Sequence, residues 1–288
     1  MEIATRLQTE IVSADARQIY RHFNIGTGKA SAKLLETIPH HLINHVEPNE
    51  AYNAGRFARE AKMALQDIFS RNQHAVLAGG TGMFVKALCE GLNELPEISP
   101  DLRISLKDKL NSEGLHSMVD ELRSKDPAGA ALIDLMNPSR VLRALELINA
   151  SGKTLNELYT PKSNNLPQIT ILTYLCFLPD RKWLYKQIDL RVEEMFLKGW
   201  PEETENLLKI YPPDAPAFGS IGYHEMINYL QGNASKTETL ARIRQLTRNY
   251  AKRQYTWFRN QLPRQDRRVR VLTFATADPK TVIPFLHA

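Results

Sequence analysis

Apolar and polar positions follow two rhythms along this chain, and the rhythm changes with position. From Glu10 to Asp15 the run E-I-V-S-A-D packs apolar residues together and closes on an acid, which predicts a short buried strand. Ahead of it Ile3 and Leu7 stand four apart with no capping residue before them, the spacing of a helix tail. A helical rhythm covers Asn49 to Phe69, with Phe57, Ala61, Leu65 and Phe69 in one stripe. His74 to Ala78 is a second buried strand, closed by Gly79-Gly80-Thr81-Gly82 and followed by a helix from Met83 to Glu90. Strand and helix alternating in this way predict a parallel sheet with helices on its faces.

From Pro96 to Lys162 the strand signal disappears. Helix starts stand at Ser99-Pro100 and at Asn137-Pro138-Ser139, so the segment reads as an α-helical insertion. The expected organisation is an α/β core of residues 1–95 and 166–288 around a helical domain at 96–165. Strand character resumes at Ile169 to Leu178. Helices are predicted at Asp180 to Lys198, Pro201 to Ile210, His224 to Leu230 and Thr237 to Gln261, and a last strand at Val269 to Phe274.

Composition narrows the function classes. With 288 residues, 43% of them hydrophobic and 24% charged, the chain is long enough for a sizeable core. Two cysteines exclude a disulfide framework, and no structural metal is expected. The longest apolar run, ITILTYLCFLP, is far short of a membrane span, and MEIATRLQTE lacks a signal peptide's apolar centre. A cytoplasmic setting with no membrane partner is expected. The net charge is +5, and ten Lys/Arg stand against the single acid Asp266 between Ala241 and Arg270. That local basicity points to a polyanion partner.

Four stretches carry chemistry. In IVSADARQIY an acid, Asp15, ends a strand where α/β sheets bind ligands; the alternative is an Asp capping the next helix. In AGGTGMFVK a glycine-rich turn offers N–H groups and the Thr81 hydroxyl to an anion, or simply reverses the chain. In LYKQIDLRVEEM, Leu184, Ile188, Val192 and Met195 form an apolar face with Arg191 at its edge, paired either to a carboxylate or to a bound phosphate. In TRNYAKRQYTWFR, Arg244, Arg248 and Lys252 share a face as a solvated cationic surface or a contact for a nucleic-acid backbone, over a buried side of Leu240, Ile243, Tyr250, Trp257 and Phe258. A fifth stretch, FNIGTGKAS, fails as a phosphate loop: Phe23 and Ala30 occupy two of the four fixed positions of G-x-x-x-x-G-K-S/T.

In this order SADARQIY, FNIGTGKAS, HHLINHVEPNE, GGTGMFVKAL, NPSRVLRALEL, SIGYHEMINYLQG and TRNYAKRQYTWFR resemble the tRNA dimethylallyltransferase (tRNA isopentenyltransferase) family from Ile3 to about Gln261. The resemblance implies a P-loop NTPase-like parallel sheet with flanking helices and transfer of a dimethylallyl group, with Mg²⁺ assisting. The donor is dimethylallyl diphosphate, and the acceptor is N6 of the adenosine 3′ to the anticodon. It implies Asp15 and Arg191 as catalytic residues, Arg191 at the diphosphate. It implies tRNA contact at Asp15, Ala16, Arg17, Gln18 and Thr81, and in the insertion at Arg103, Ser139, Arg140 and Arg143. Further contacts are implied at Gly219, Ser220, Ile221, Gly222, Tyr223 and His224, and at Thr247, Arg248, Lys252, Arg253 and Gln254. The implied partner is the tRNA anticodon stem-loop; a monomer is the expectation, although the sequence does not reveal oligomeric state.

The chain departs from that pattern at its start. The family's first strand and phosphate loop lie before the S-x-D motif and are missing here, so a truncated chain or misplaced start codon is the expectation. Ala16, Gly28, Ala30 and Gln187 are smaller departures, and Lys29 is expected to lend charge near the substrate channel. Two alternatives stand beside the enzyme reading: a non-catalytic tRNA-binding remnant, and an adenylate prenyltransferase, against which the basic helix and the insertion argue.

Overall fold

Ile11, Val12 and Ser13 form β1 (Ile11–Ser13), buried along its whole length. Two parallel neighbours explain that burial: β2 (His40–His41) on one side and β3 (Val76–Ala78) on the other, with Ile11 opposite both His40 and Val76. A strand covered this way needs a continuous apolar run, which is what the sequence carries. This is a computed structural model, and it describes residues 1–93, 95–159, 172–262 and 269–275. By its contacts the chain divides into two units, Met1–Cys89 with Leu166–Ala288, and Glu90–Asn165.

In the first unit α1 (Glu2–Arg6) precedes β1, α2 (Ala32–Thr37) precedes β2, and α3 (Ala54–Arg71) leads into β3. The α3 helix starts five positions after the rhythm suggests. The Asn53 side chain caps it by accepting the Arg56 N–H at 2.9 Å, which leaves residues 49–52 outside. It buries Phe57, Ala61, Leu65 and Ile68. The sequence rhythm missed α2 and β2, because two histidines make no apolar run and α2 buries nothing. A tight turn after β3 opens α4 (Gly82–Cys89).

The second unit, among the described residues, is helical: α5 (Pro100–Lys125), α6 (Pro127–Ala130), α7 (Pro138–Ser151) and α8 (Leu155–Leu158). Ser99 and Asn137 cap α5 and α7 as their positions before proline predict. Gly114, at φ +81°, interrupts α5 with a backbone only glycine adopts freely. Buried Asp126 accepts N–H groups from Gly129 at 2.8 Å and Leu155 at 2.7 Å, tying the starts of α6 and α8 together.

The chain returns to the first unit with β4 (Leu172–Phe177); the expected Ile169 to Ile171 portion lies outside the described residues. Then come α9 (Arg181–Leu197), α10 (Trp200–Leu208), a 3₁₀ turn at Pro216–Gly219, α11 (Tyr223–Leu230) and α12 (Lys236–Asn260). The last strand, β5 (Val269–Phe274), pairs parallel with β4 along its full length. The described strands thus make two parallel sheets, β2-β1-β3 and β4-β5. Both feed one apolar cluster, in which Val12 and Ala14 meet Tyr174 and Cys176. A second cluster gathers Ile19 and Phe23 with Trp200, Phe218, Tyr223 and Ile243, seating α9 to α12 against the loop that follows β1.

Candidate active site

The site grows from the carboxyl end of β1. Ala14 continues the ladder by donating to Ala78 O at 2.8 Å, and Asp15 is the next residue. Its Oδ1 accepts the N–H groups of Arg17 at 2.8 Å and Gln18 at 3.2 Å, folding the chain into a turn. The expected alternative, a cap for a following helix, does not hold, because residues 16–19 form a turn and no helix, and the turn uses only one of the two oxygens. Oδ2 accepts no hydrogen bond from the described residues. Thr81 locks the neighbouring strand end: its N–H reaches Ala14 O at 3.2 Å, and its Oγ1 accepts the Ala16 N–H at 3.0 Å. Gly79 must be glycine, because a Cβ there would stand 2.3 Å from the Ala14 carbonyl oxygen.

One face of α12 covers this turn. Tyr250, Gln254 and Trp257 follow at helical spacing, and each meets one residue of the glycine-rich segment. Gln254 Nε2 donates to Gly80 O at 2.8 Å, and the Trp257 indole lies where a Gly82 Cβ would be. The Tyr250 hydroxyl neighbours Thr81 and Asp15. Burial raises its pKa, helped by the Asp15 charge and opposed by Thr81, Arg17 and Arg253. GGTG and TRNYAKRQYTW, distant in sequence, are thus two halves of one contact.

The cationic face of α12 is a correction to the sequence reading. Arg244 pairs with Glu193, and Arg248 pairs with Asp189 while lying over the Tyr185 ring. Acids four apart on α9 meet arginines four apart on α12, so both charges bind helix to helix instead of facing solvent. Lys252 and Arg253 are exposed, Arg253 over Tyr250, and Thr247 donates to Ile243 O within α12.

Arg191 also departs from expectation. The sequence places it beside the core; in the fold Ile188 and Val192 turn inward and Arg191 is exposed. Its guanidinium rests on the FNIGTGKAS loop, with Nη2 3.4 Å from Gly28 O. Gly28 has φ +63°, and a Cβ there would be 1.8 Å from Nη2, so residue type and contact are linked. Among the described residues no carboxylate pairs with Arg191, which removes the ion-pair alternative. Gln18 joins the two centres: its N–H serves Asp15, and its side chain donates to the same Gly28 O at 3.2 Å. Lys29 donates to Tyr20 O at 2.6 Å and Asn44 Oδ1 at 3.2 Å, holding its own loop. Burial lowers its pKa to about 8, against the opposing charge of Glu203.

Not every candidate presents a side chain. Tyr223 and Ser220 are 0% and 3% exposed, and Gly222, at φ +97°, lies under Trp200, so these three build the core. Gly219 lies near Arg17, Ile221 and Ala16 are half-buried, and His224 is exposed. In the second unit Arg103 and Arg143 both reach the Glu146 carboxylate, at 3.5 and 2.9 Å. Ser139 and Arg140 are exposed in the first turn of α7.

The IPP transferase family model matches residues 18–261. The chain belongs to that family. A tRNA dimethylallyltransferase of Chloroherpeton thalassium is 38% identical over 264 residues, 90% of this chain and 81% of the relative. One from Geobacter sulfurreducens is also 38% identical, covering 90% and 84%. Among solved structures, the full-length tRNA isopentenylpyrophosphate transferase of Bacillus halodurans superposes with a TM-score of 0.66 at 32% identity, over 98% of this chain and 88% of that one. A eukaryotic dimethylallyltransferase acting on tRNA gives 0.75 at 26% identity, over 96% and 70%. The family match thus spans both sides of the site, from Gln18 to α12. Sequence reasoning overlooked Tyr250 as a neighbour of Asp15, having assigned it only to the buried side. It also passed over Glu203, which nothing in the sequence separates from the adjacent first-turn acid Glu202.

Proposed function

We propose that this chain transfers a dimethylallyl group from dimethylallyl diphosphate to N6 of the adenosine 3′ to the anticodon in tRNA. The observation that carries the reading is the arrangement around Gln18. One carboxylate oxygen of Asp15 is fixed in a turn while the other is free of protein donors among the described residues, and an arginine without a carboxylate is held on Gly28. The N6 lone pair is delocalised into the adenine ring, so N6 is a weak nucleophile. Attack on the dimethylallyl C1 breaks the C1–O bond, and that electron pair leaves with the diphosphate. Asp15 takes the N6 proton as the new N–C bond forms. Arg191 stabilises the charge gathering on the departing diphosphate. Tyr250 and Thr81 wall the approach to Asp15, and the target base is flipped out of its loop to reach it, at a cost of roughly a few kcal/mol.

Exposed Arg17, Lys252 and Arg253 in the first unit, and Ser139 and Arg140 in the second, serve as contacts for the tRNA backbone in this reading. Among the described residues no three His, Cys, Asp or Glu side chains converge, so the magnesium ion implied by the family finds no protein-built cage there. No helix among them is long and apolar enough to cross a membrane. The chain is taken to act as a cytoplasmic monomer. The finer reading of the fold is a P-loop NTPase-like parallel sheet with flanking helices. The two parallel sheets feeding a common apolar cluster support it. Transfer of label from dimethylallyl diphosphate to an anticodon stem-loop tests the proposed function: no label on the RNA with folded chain would overturn it.

A further inference from the structure

Glu203 sits in the first turn of α10, where an acid ordinarily does no more than complement the helix dipole. Here its carboxylate does something else. Oε2 accepts the N–H groups of Asn24 at 3.0 Å and Ile25 at 2.7 Å, and Oε1 accepts those of Gly26 at 3.1 Å and the Tyr223 hydroxyl at 2.7 Å. Three consecutive backbone N–H groups converging on one anion form a nest, and this nest is filled from within the protein. The Tyr223 ring is fully buried, and Trp200 and Tyr223 press on Gly26, leaving no room for a side chain there.

The consequence lies at the other end of the loop. Gly28 N–H bonds to Ile25 O at 2.9 Å, and Thr27 Oγ1 bonds to Phe23 O at 2.7 Å, so residues 23–28 form one rigid turn. The Gly28 carbonyl at its tip receives both Gln18 and Arg191. Arg191 has no carboxylate to aim it among the described residues; the loop is what its guanidinium rests on. We propose that Glu203 is a positioning residue, which anchors residues 24–26 and thereby sets the carbonyl that orients Arg191 toward the diphosphate. The inference rests on the transferase reading above for the identity of that anion.

Glu203→Gln tests it, since glutamine keeps the shape but turns an amide NH₂ on donors that need an acceptor. Two quantities should rise about tenfold, the KM for dimethylallyl diphosphate and the Kd for inorganic pyrophosphate measured directly. The kcat at saturation should fall as Arg191 loses its aim on the leaving group, while the KM for an anticodon stem-loop should stay within about twofold. Tyr223→Phe keeps the ring and removes one of the four donors; it should move the same two constants by about threefold. A general loss of kcat with both KM values raised alike marks a merely structural acid and overturns the proposal. An unchanged pyrophosphate Kd in folded Glu203→Gln overturns it too, and Tyr223→Phe decides in the same way if the first variant melts. Pyrophosphate binding does not require turnover, so a wild-type chain that binds pyrophosphate without transferring the group sinks the transferase reading and leaves the Glu203 comparison interpretable.

Discussion

Asp15 divides its two oxygens between structure and chemistry, and that division can be tested. Asparagine keeps the oxygen that accepts the Arg17 and Gln18 N–H groups and cannot take a proton. Asp15→Asn should therefore leave Tm and tRNA affinity near wild type while kcat falls by about 10²–10⁴-fold, read by single-turnover transfer. Lys29 carries a different signature. Its folded-state pKa is lowered to about 8 from 10.5, so between those values the unfolded chain holds more protons than the native one. Stability should rise with pH from about 8 to 10.5, and the cost of the buried charge is fully present below 8. Thermal melts of wild type and Lys29→Met across that range check it: the variant should lack this rise. At this scale the sequence revealed Asp15, because an acid closing an apolar strand is a local pattern. It concealed Glu203, whose importance comes from three N–H groups nearly 180 residues away.

The central elements are the turn after β3 and the helix α12 above it. Gly79 and Gly80 differ in what they touch. A Cβ at Gly79 meets the Ala14 backbone, which cannot move without breaking the β1–β3 ladder. A Cβ at Gly80 meets the Gln254 side-chain amide, the far end of a flexible chain. Gly79→Ala should cost about 1–3 kcal/mol in chemical denaturation. Gly80→Ala should cost less in the same measurement, because the Gln254 amide can swing aside and give up its bond to Gly80 O. The glycine-rich turn and the aromatic, basic helix were each legible from their own residues. Their meeting was not, since it joins residues 174 apart. The same reason explains the misread cationic face: a helix shows its own arginines, but not the acids of a neighbour that meets them. Arg248→Ala should consequently act on the packing of α9 against α12. Lys252→Ala or Arg253→Ala should instead reduce the salt dependence of tRNA binding by about one unit of slope in log K against log salt.

Across the whole molecule, alternating strand and helix predicted the α/β class, and the described strands are all parallel. Two short elements, α2 and β2, escaped because neither carries a periodic apolar stripe. The architecture concentrates chemistry at one end of β1, where Asp15, Thr81, Gln18 and the loop holding Arg191 meet. The most direct test of that account is transfer from labelled dimethylallyl diphosphate, with an unmodified anticodon stem-loop and free AMP offered as separate acceptors. The account predicts label on N6 of the adenosine 3′ to the anticodon, none on AMP, and loss of labelling with Asp15→Asn. Absence of label on the RNA with folded wild-type chain, or labelling that survives Asp15→Asn, would contradict it.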